Sequence, residues 1–123
     1  MTMIKKLAKI TSAGLNIDLN RLTYSIHVNY EDGFSQDIGY IVLDQYNKNT
    51  KTREGTAFGC ELIRQLLLTM EVNDFHEMVD KYIWVLGEGD GLMFKPLGIE
   101  RLYIDSKKEP LIFTDVKFFP ENI

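Results

Sequence analysis

The chain has few cysteines, prolines and tryptophans, with one Cys, three Pro and one Trp in 123 residues. Cys60 cannot form a disulfide bond within the chain, so the disulfide frameworks of small secreted proteins are excluded. A lone cysteine with two distant histidines, His27 and His76, also falls short of a zinc-ligand set. We expect Cys60 to be a small side chain packed in the core.

Long apolar runs are missing as well. None approaches the ~20 residues that a membrane-spanning helix needs. The N-terminal residues 1–12 contain lysines and only a few apolar residues, which Lys9 interrupts, so they do not resemble a signal peptide. We expect a short first strand or an ordered lead-in there, no membrane association, and a location in the cytoplasm of a bacterial host.

Basic residues are outnumbered by acidic ones. Fourteen Lys and Arg against eighteen Asp and Glu give a net charge of −4. Binding to a nucleic-acid backbone needs a surplus of Lys and Arg, so we do not expect it as the main task. A mildly acidic surface fits an ordinary soluble domain, and it also fits a surface that docks on a basic partner or mimics nucleic acid.

Alternating apolar residues in the first third predict an antiparallel β-meander. Residues 22–30 alternate between apolar and polar side chains, as in a strand with one buried face. Residues 15–19 alternate too, and Asn20-Arg21 would make a tight connection between the two strands. Asp32-Gly33 predicts a second turn, and a third strand is expected over residues 38–44.

Residues 45–55 contain three Lys or Arg, two Asn and no aliphatic side chain. This composition predicts an exposed and mobile loop. The loop would be either a solvated linker or a basic segment that contacts an anionic ligand.

An amphipathic helix is predicted to begin near Thr56. One apolar stripe runs over about four turns; its members are Phe58, Leu62, Ile63, Leu66, Leu67 and Met70. The stripe could contact a partner, but an apolar sheet face needs a cover, so we expect it to pack on the meander. Gly59 would permit a close approach between the helix and a strand.

The second half predicts short elements. Asp74 and Glu77 have the spacing of a helix N-cap and its reciprocal acid, followed by one or two turns. Residues 82–86 are an apolar run expected to form a strand covered on both faces. The glycine-rich residues 87–91 predict a flexible loop. A return strand is expected at 92–94, resuming at 99–104 after Pro96 and Gly98, with a turn at 107–110 and a last strand at 111–113.

Catalytic patterns are weak throughout. The GEGDG run at 87–91 has neither phosphate-loop spacing nor a following helix, and Glu88 with Asp90 would make a poor cation site. His27 is expected on the polar face of its strand and His76 in solvent, with neither placed beside Cys60 by a motif. We therefore predict no enzyme activity, no cofactor and no metal.

Aromatic residues around the second turn and third strand suggest recognition instead. Aromatic side chains supply large contact area at low entropic cost, although filling the core would also explain them. Together with one glutamine and two basic residues of the 45–55 segment, they form the predicted partner-binding set: Tyr30, Phe34, Gln36, Tyr40, Tyr46, Lys51 and Arg53.

The order of several segments resembles small proteins encoded by bacteriophages and prophages. The resemblance covers about residues 9–105 and is carried by ITSAGLNID (10–18), LTYSIHVNY (22–30), GTAFG (55–59) and LGIERLYID (97–105). It implies a phage accessory protein that acts by binding. Such proteins include inhibitors of host defence proteins, as anti-CRISPR proteins are, and sponges that sequester a nucleotide signal of host immunity.

The sequence therefore predicts one α+β domain spanning residues 1–123, with an antiparallel meander, one central helix packed on it and C-terminal hairpin strands. We expect a counter-defence inhibitor of a host protein. The alternative is a nucleotide sponge, which would require five cations to converge, across a homodimer interface if necessary: Arg21, Lys51, Arg53, Arg64 and Lys95. The open edges of so small a sheet make a homodimer a reasonable expectation.

Overall fold

A computed structural model describes residues 3–38, 41–102 and 110–116 of the chain. Six antiparallel strands form one sheet in the order β3-β2-β1-β6-β7-β8, and two further strands form a separate hairpin. The strands are β1 (Ile4–Asp18), β2 (Arg21–Tyr30), β3 (Ser35–Ile38), β4 (Asp44–Asn47), β5 (Thr52–Gly55), β6 (Tyr82–Glu88), β7 (Lys95–Arg101) and β8 (Leu111–Ile112). With α1 (Ala57–Met70), the one α-helix of the described residues, this confirms the predicted α+β class and meander.

The β1–β2 hairpin is the longest unit of the sheet. β1 begins at Ile4, so the lysine-containing N-terminal segment and residues 15–18 belong to one strand. Asp18 lies opposite Arg21, and the two residues between them, Leu19 and Asn20, both have positive φ. That geometry matches the right-handed strand twist, and it places the turn one residue earlier than the predicted Asn20-Arg21 connection.

The core lies on one face of the sheet. Tyr24, Ile26 and Val28 of β2 are fully buried, as the alternation predicted. They share a cluster with Ile10 of β1, Ile83 and Val85 of β6, and Ile99 of β7. Helix residues Leu62, Leu66 and Met70 belong to the same cluster, so α1 covers this face, which we call the inner face.

Helix α1 begins where the sequence predicted. Thr56 is its N-cap: the hydroxyl oxygen accepts a hydrogen bond from the Gly59 amide at 2.9 Å and donates one to the Leu43 carbonyl at 2.6 Å. A Cβ placed on Gly59 would lie 2.1 Å from the Leu43 carbonyl oxygen, so the helix does approach another segment closely, but Leu43 precedes β4 and the expected contact with a strand is not the one found. Cys60 is exposed, so its predicted core position is wrong. It follows Gly59 on the helix and points away from the buried stripe.

The predicted third strand over residues 38–44 is wrong. β3 spans Ser35–Ile38, and among the described residues that follow it, 41–44, only an isolated bridge between Val42 and Thr23 continues the edge of β2. Leu43, just after that bridge, is buried against the helix. Tertiary packing of Leu43 therefore overrides the strand pattern of this segment.

The loop predicted over residues 45–55 is a hairpin instead. β4 and β5 pair in register, with Tyr46 opposite Arg53. The Asn47 side-chain oxygen accepts a hydrogen bond from the Asn49 amide at 2.8 Å, and its nitrogen donates to Glu54 at 3.0 Å. Because polar contacts hold this hairpin together, no apolar alternation marks it in the sequence.

The capped turn after α1 is confirmed, and β6 starts soon after it. The Asp74 carboxylate accepts a hydrogen bond from the Glu77 amide at 3.0 Å, and a 3₁₀ helix runs over Phe75–Met78. β6 extends to Glu88, so part of the predicted glycine-rich loop is strand. Tyr82 is 51% exposed, so the expectation that residues 82–86 are covered on both faces is wrong at the start of the strand.

β7 is continuous where an interruption was predicted. It runs over Lys95–Arg101 through Pro96 and Gly98. Pro96 lies opposite Gly87, next to a register shift in β6, and bulges are where a strand tolerates proline. Leu92 and Met93 precede β7 in a 3₁₀ turn rather than a strand. β8 is followed by a 3₁₀ turn that begins at Phe113, where the last strand was predicted to continue. Residues 103–109 lie outside the described residues, and so does most of the turn predicted at 107–110.

Tyr24→Phe is expected to raise the free energy of unfolding by about 1 kcal/mol, because a buried unpaired hydroxyl costs about that much or more. The Tyr24 side chain is fully buried, and no group of the described residues bonds its hydroxyl. Burial accordingly raises its pKa. Tyr30→Phe, which removes a hydroxyl that donates to Gln36, should have the opposite sign. Urea unfolding of both variants tests this, and a loss of stability in Tyr24→Phe would contradict it.

Candidate functional site

Two of the predicted contact residues, Tyr30 and Gln36, face the interior. The Tyr30 hydroxyl donates a hydrogen bond to the Gln36 side-chain oxygen. The Tyr30 ring meets Phe94 edge-on at a centroid distance of 5.9 Å, and Tyr30 is 7% exposed. Burial, and then the charge of Asp32, raise the Tyr30 pKa. These two side chains support the end of the sheet and offer little surface to a partner.

Lys6 completes this buried cluster. Its ammonium lies 4.8 Å from the Phe94 ring centre and 5.1 Å from that of Tyr30, and it pairs with Asp32 at 3.3 Å. The Asp32 carboxylate also accepts a hydrogen bond from the Phe34 amide at 3.1 Å. That hydrogen bond and then Lys6 lower the Asp32 pKa. The turn around Gly33 is thus anchored, and its predicted contact Phe34 stays 43% exposed.

Arg53, another predicted contact, holds the base of the β4–β5 hairpin. Its guanidinium donates to Asp44 Oδ1 from Nη2 at 2.7 Å and from Nε at 3.1 Å. The other oxygen of Asp44 accepts a hydrogen bond from the Leu22 amide at 3.0 Å. The pKa of Asp44 is lowered chiefly by the hydrogen bond from Arg53, and the pKa of Arg53 is raised by the same bond. Arg53 therefore stabilises the base of the hairpin.

The remaining predicted contacts do not join Phe34 in one surface. Tyr46 is 54% exposed and Lys51 lies in the hairpin turn with φ of 58°. Their hairpin is anchored beside Leu22, whereas Phe34 lies beside Tyr30, at the other end of β2. The eight steps along the strand from Leu22 to Tyr30 correspond to about 26 Å at the usual rise per residue. Tyr40 lies outside the described residues.

Asp44→Asn is expected to lower stability most at neutral pH. A carboxyl with a lowered pKa stabilises the fold above its ordinary value of 3.8, and that contribution is lost as the pH falls through the folded-state pKa. The stability difference between wild type and Asp44→Asn should therefore shrink below about pH 4. Unfolding curves from neutral to acidic pH measure it, with Asp90→Asn as an exposed control, and a difference independent of pH would contradict the prediction.

The more open candidate surface is the outer face of the sheet, opposite the helix. Alternation places Leu7 of β1 directly across from Trp84 of β6, and Lys9 across from Tyr82. Tyr82 is half exposed, and Leu7 and Trp84 are partly exposed. Trp84 and Leu7 are absent from the inner core cluster. Two aromatic side chains on one strand therefore point away from the layer that α1 covers.

Two adjoining clefts follow this face, with volumes of about 260 and 320 Å³. They share Leu7, Tyr30 and Glu31. We call the joined depression the outer-face groove and define it by its outward-facing lining: Lys5, Leu7, Lys9, Asn29, Glu31, Tyr82 and Trp84. Its floor is aromatic and aliphatic, and charged side chains stand around it.

Charges around the groove are largely paired. Lys5 lies 3.0 Å from Glu100 and Lys9 lies 3.6 Å from Asp80. Lys6, which lines one of the two clefts, pairs with Asp32 as described above. Paired ions at the rim give little net attraction for a polyanion, whereas an aromatic floor with a polar rim is the usual anatomy of a protein interface.

Chemistry-bearing side chains are dispersed. His27 Nδ1 lies 2.8 Å from an Asp37 oxygen, while His76 and Cys60 are exposed on separate elements. Among residues 3–38, 41–102 and 110–116, no group of three or more His, Cys, Asp or Glu could hold a metal ion.

The five cations proposed for a nucleotide are also dispersed. Arg21, Arg53 and Arg64 each pair with a carboxylate near them in the chain, at 3.9, 2.7 and 3.2 Å. Lys95 lies opposite Glu88 in the β6–β7 ladder. A third cleft, of about 290 Å³, lies beside Met70 and Arg101. None of the five cations lines this cleft, and none lines the outer-face groove.

Sequence reasoning missed the groove residues Leu7, Tyr82 and Trp84. The run at 82–86 is apolar at every position, so the sequence alone did not say which face lacks a cover. The N-terminal segment gave no clear signal either, because Lys5 and Lys6 are adjacent and break any alternation with the apolar residues.

Comparisons with known proteins leave the geometry as the main guide to function. No helix in the described part of the chain is long and apolar enough to cross a membrane. No family model, curated protein or solved structure matches this chain.

Proposed function

We propose that this protein is a phage-encoded, non-enzymatic inhibitor that binds a host protein through the outer-face groove. The observation that carries the proposal is the placement of Tyr82 and Trp84 on the sheet face opposite the helix. Tyr and Trp are the residues most enriched among those that dominate binding energy at protein interfaces. The groove floor therefore has the composition expected of a binding centre.

The rim supports a protein partner over a nucleotide. Lys5, Lys9 and Lys6 all have carboxylate partners within 3.6 Å, so the groove has little free positive charge for a phosphate. The net charge of −4 also opposes binding of anions. A polypeptide with apolar side chains and a few basic groups matches the groove better.

The phage setting rests on the sequence resemblance given above, and it suggests why such a binder would exist. A stoichiometric inhibitor needs a surface and no catalytic groups. Occupying an effector site or an assembly surface on a host defence protein would be sufficient. The expected role is thus counter-defence, comparable in role to that of anti-CRISPR proteins.

Affinity capture from a bacterial lysate tests the class of partner. Tagged full-length protein should recover one host protein in near-equal amount, and an acid extract of the recovered complex should contain no nucleotide. Recovery of a nucleotide in molar proportion, without a host protein, would overturn the inhibitor proposal and favour the sponge.

Phage plating tests the role. Cells that express this protein should become more permissive to infection only when they carry the defence system to which the captured protein belongs. Equal plating with and without that system would contradict a counter-defence role while leaving protein binding intact.

A further inference from the structure

Within the described residues, the far half of β1 has a paired strand on one side only. β1 pairs with β2 as far as Asp18, but with β6 only over Ile4 to Lys9. The backbone hydrogen bonds of Ile10 with Lys81 and Asp80, both 2.8 Å, are the last ones on the β6 side within the described residues. From Ser12 to Asp18 no strand of the described residues pairs with this side of β1, which we call the uncovered edge, although the 3₁₀ turn Phe75–Met78 also contacts β1.

Backbone groups at this edge come from the apolar residues. A two-residue turn makes Asp18 and Arg21 a hydrogen-bonded pair, so the bonding alternates back along the strand. Ala13, Leu15 and Ile17 consequently direct their amides and carbonyls away from β2. Leu15 is 48% exposed and Ile17 is 68% exposed, and Leu19 in the turn is 82% exposed.

The uncovered edge has no lysine, and its one charged residue is Asp18 at the end of the strand. Lys5, Lys6 and Lys9 all lie in the half that β6 covers, and residues 11–17, TSAGLNI, have neither charge nor proline. Sheet edges that stay exposed usually carry lysine, proline or another feature that blocks strand addition. An unprotected, apolar edge is typical of a strand that pairs with another chain.

We propose that two copies of this protein pair through the uncovered edge of β1, antiparallel about a two-fold axis at Leu15. Leu15 then lies opposite its own counterpart, and Ala13 lies opposite Ile17 of the other copy. Each of these pairs places apolar beside apolar, and about six backbone hydrogen bonds form.

The segment fits its own copy particularly well. The single charge near the pairing, Asp18, falls opposite Ser12 of the other copy, so no like charges meet. The two sheets become continuous across the axis, which removes an edge from each. The groove, on the covered half of β1, remains available to a partner.

Sedimentation equilibrium of the full chain at rising micromolar concentration tests the proposal. Wild type should approach twice the 14.2 kDa chain mass. Leu15→Lys places two like charges across the axis and should raise the dimer Kd about tenfold or more. Met93→Lys changes an equally apolar side chain, 81% exposed in the turn before β7, and should dimerise like wild type.

A rescue experiment guards against a variant that simply misfolds. Leu15→Lys mixed with Leu15→Glu should recover the dimer, because opposite charges then meet at the axis.

In wild type, the amides of Leu15 and Ile17 should exchange with deuterium more slowly as concentration rises. A monomeric wild type, unprotected Leu15 and Ile17 amides, or a Leu15→Lys dimer as tight as wild type would each overturn the proposal.

Discussion

Replacing Gly59 with alanine is expected to lower the free energy of unfolding by about 2 kcal/mol, because overpacking a tight contact costs about 1–3 kcal/mol. The added Cβ would lie 2.1 Å from the Leu43 carbonyl oxygen and 2.9 Å from the Leu43 Cβ. The first of these atoms is backbone, so it cannot rotate away, and either α1 or the segment around Leu43 must shift.

The sign of this effect distinguishes packing from helix propensity. In an ordinary helix interior the same exchange raises stability by about 1 kcal/mol. Gly55→Ala is the matched control, since a Cβ there meets nothing within 4 Å and Gly55 has no left-handed backbone. Urea unfolding compares the two. A Gly59→Ala variant as stable as wild type would contradict the close contact between α1 and Leu43.

Replacing Tyr82 with alanine is expected to weaken binding of the host protein by about 30-fold or more, which corresponds to the 2 kcal/mol of a dominant interface residue. Tyr82 contributes a large ring at the opening of the groove. It is already 51% exposed in the free protein, so truncation should change folding stability by no more than about 0.5 kcal/mol.

Tyr46→Ala is the matched control for Tyr82→Ala. Tyr46 is the same residue type, is 54% exposed, and lies on the β4–β5 hairpin outside the groove. It also belongs to the sequence-predicted contact set, so the pair of variants compares the two candidate surfaces directly. Calorimetric titration with the captured host protein should give wild-type affinity for Tyr46→Ala. A larger loss of affinity in Tyr46→Ala than in Tyr82→Ala would favour the hairpin as the binding surface.

Local signals explain the parts of the fold that could be predicted. The alternation in β2, the stripe of α1 and the Asp74 cap each depend on residues close in sequence. The β4–β5 hairpin was missed because it is stabilised by hydrogen bonds that the Asn47 side chain donates and accepts and by an ion pair at Asp44, and these leave no apolar pattern. Pro96 suggested an interrupted strand because its neighbouring bulge in β6 is invisible in the sequence.

The candidate site depends on non-local facts. Alternation alone already put Tyr30 on the buried face of β2, yet its position next to a turn suggested exposure. The exposure of Tyr82 and Trp84 follows from which face α1 covers, and the groove forms only when β6 pairs with β1, some 75 residues earlier in the chain. No local pattern carries that information.

Trp84 allows the most direct test of the groove, because it is the single tryptophan of the chain and lines the groove floor. Protein labelled with fluorotryptophan should give one fluorine resonance. Titration with the captured host protein is expected to shift that resonance in proportion to occupancy and to reduce its solvent exposure, with a saturation point equal to that found by calorimetry. A resonance that stays unchanged while the host protein saturates would show that the partner binds elsewhere and would contradict the assignment of the groove as the binding surface.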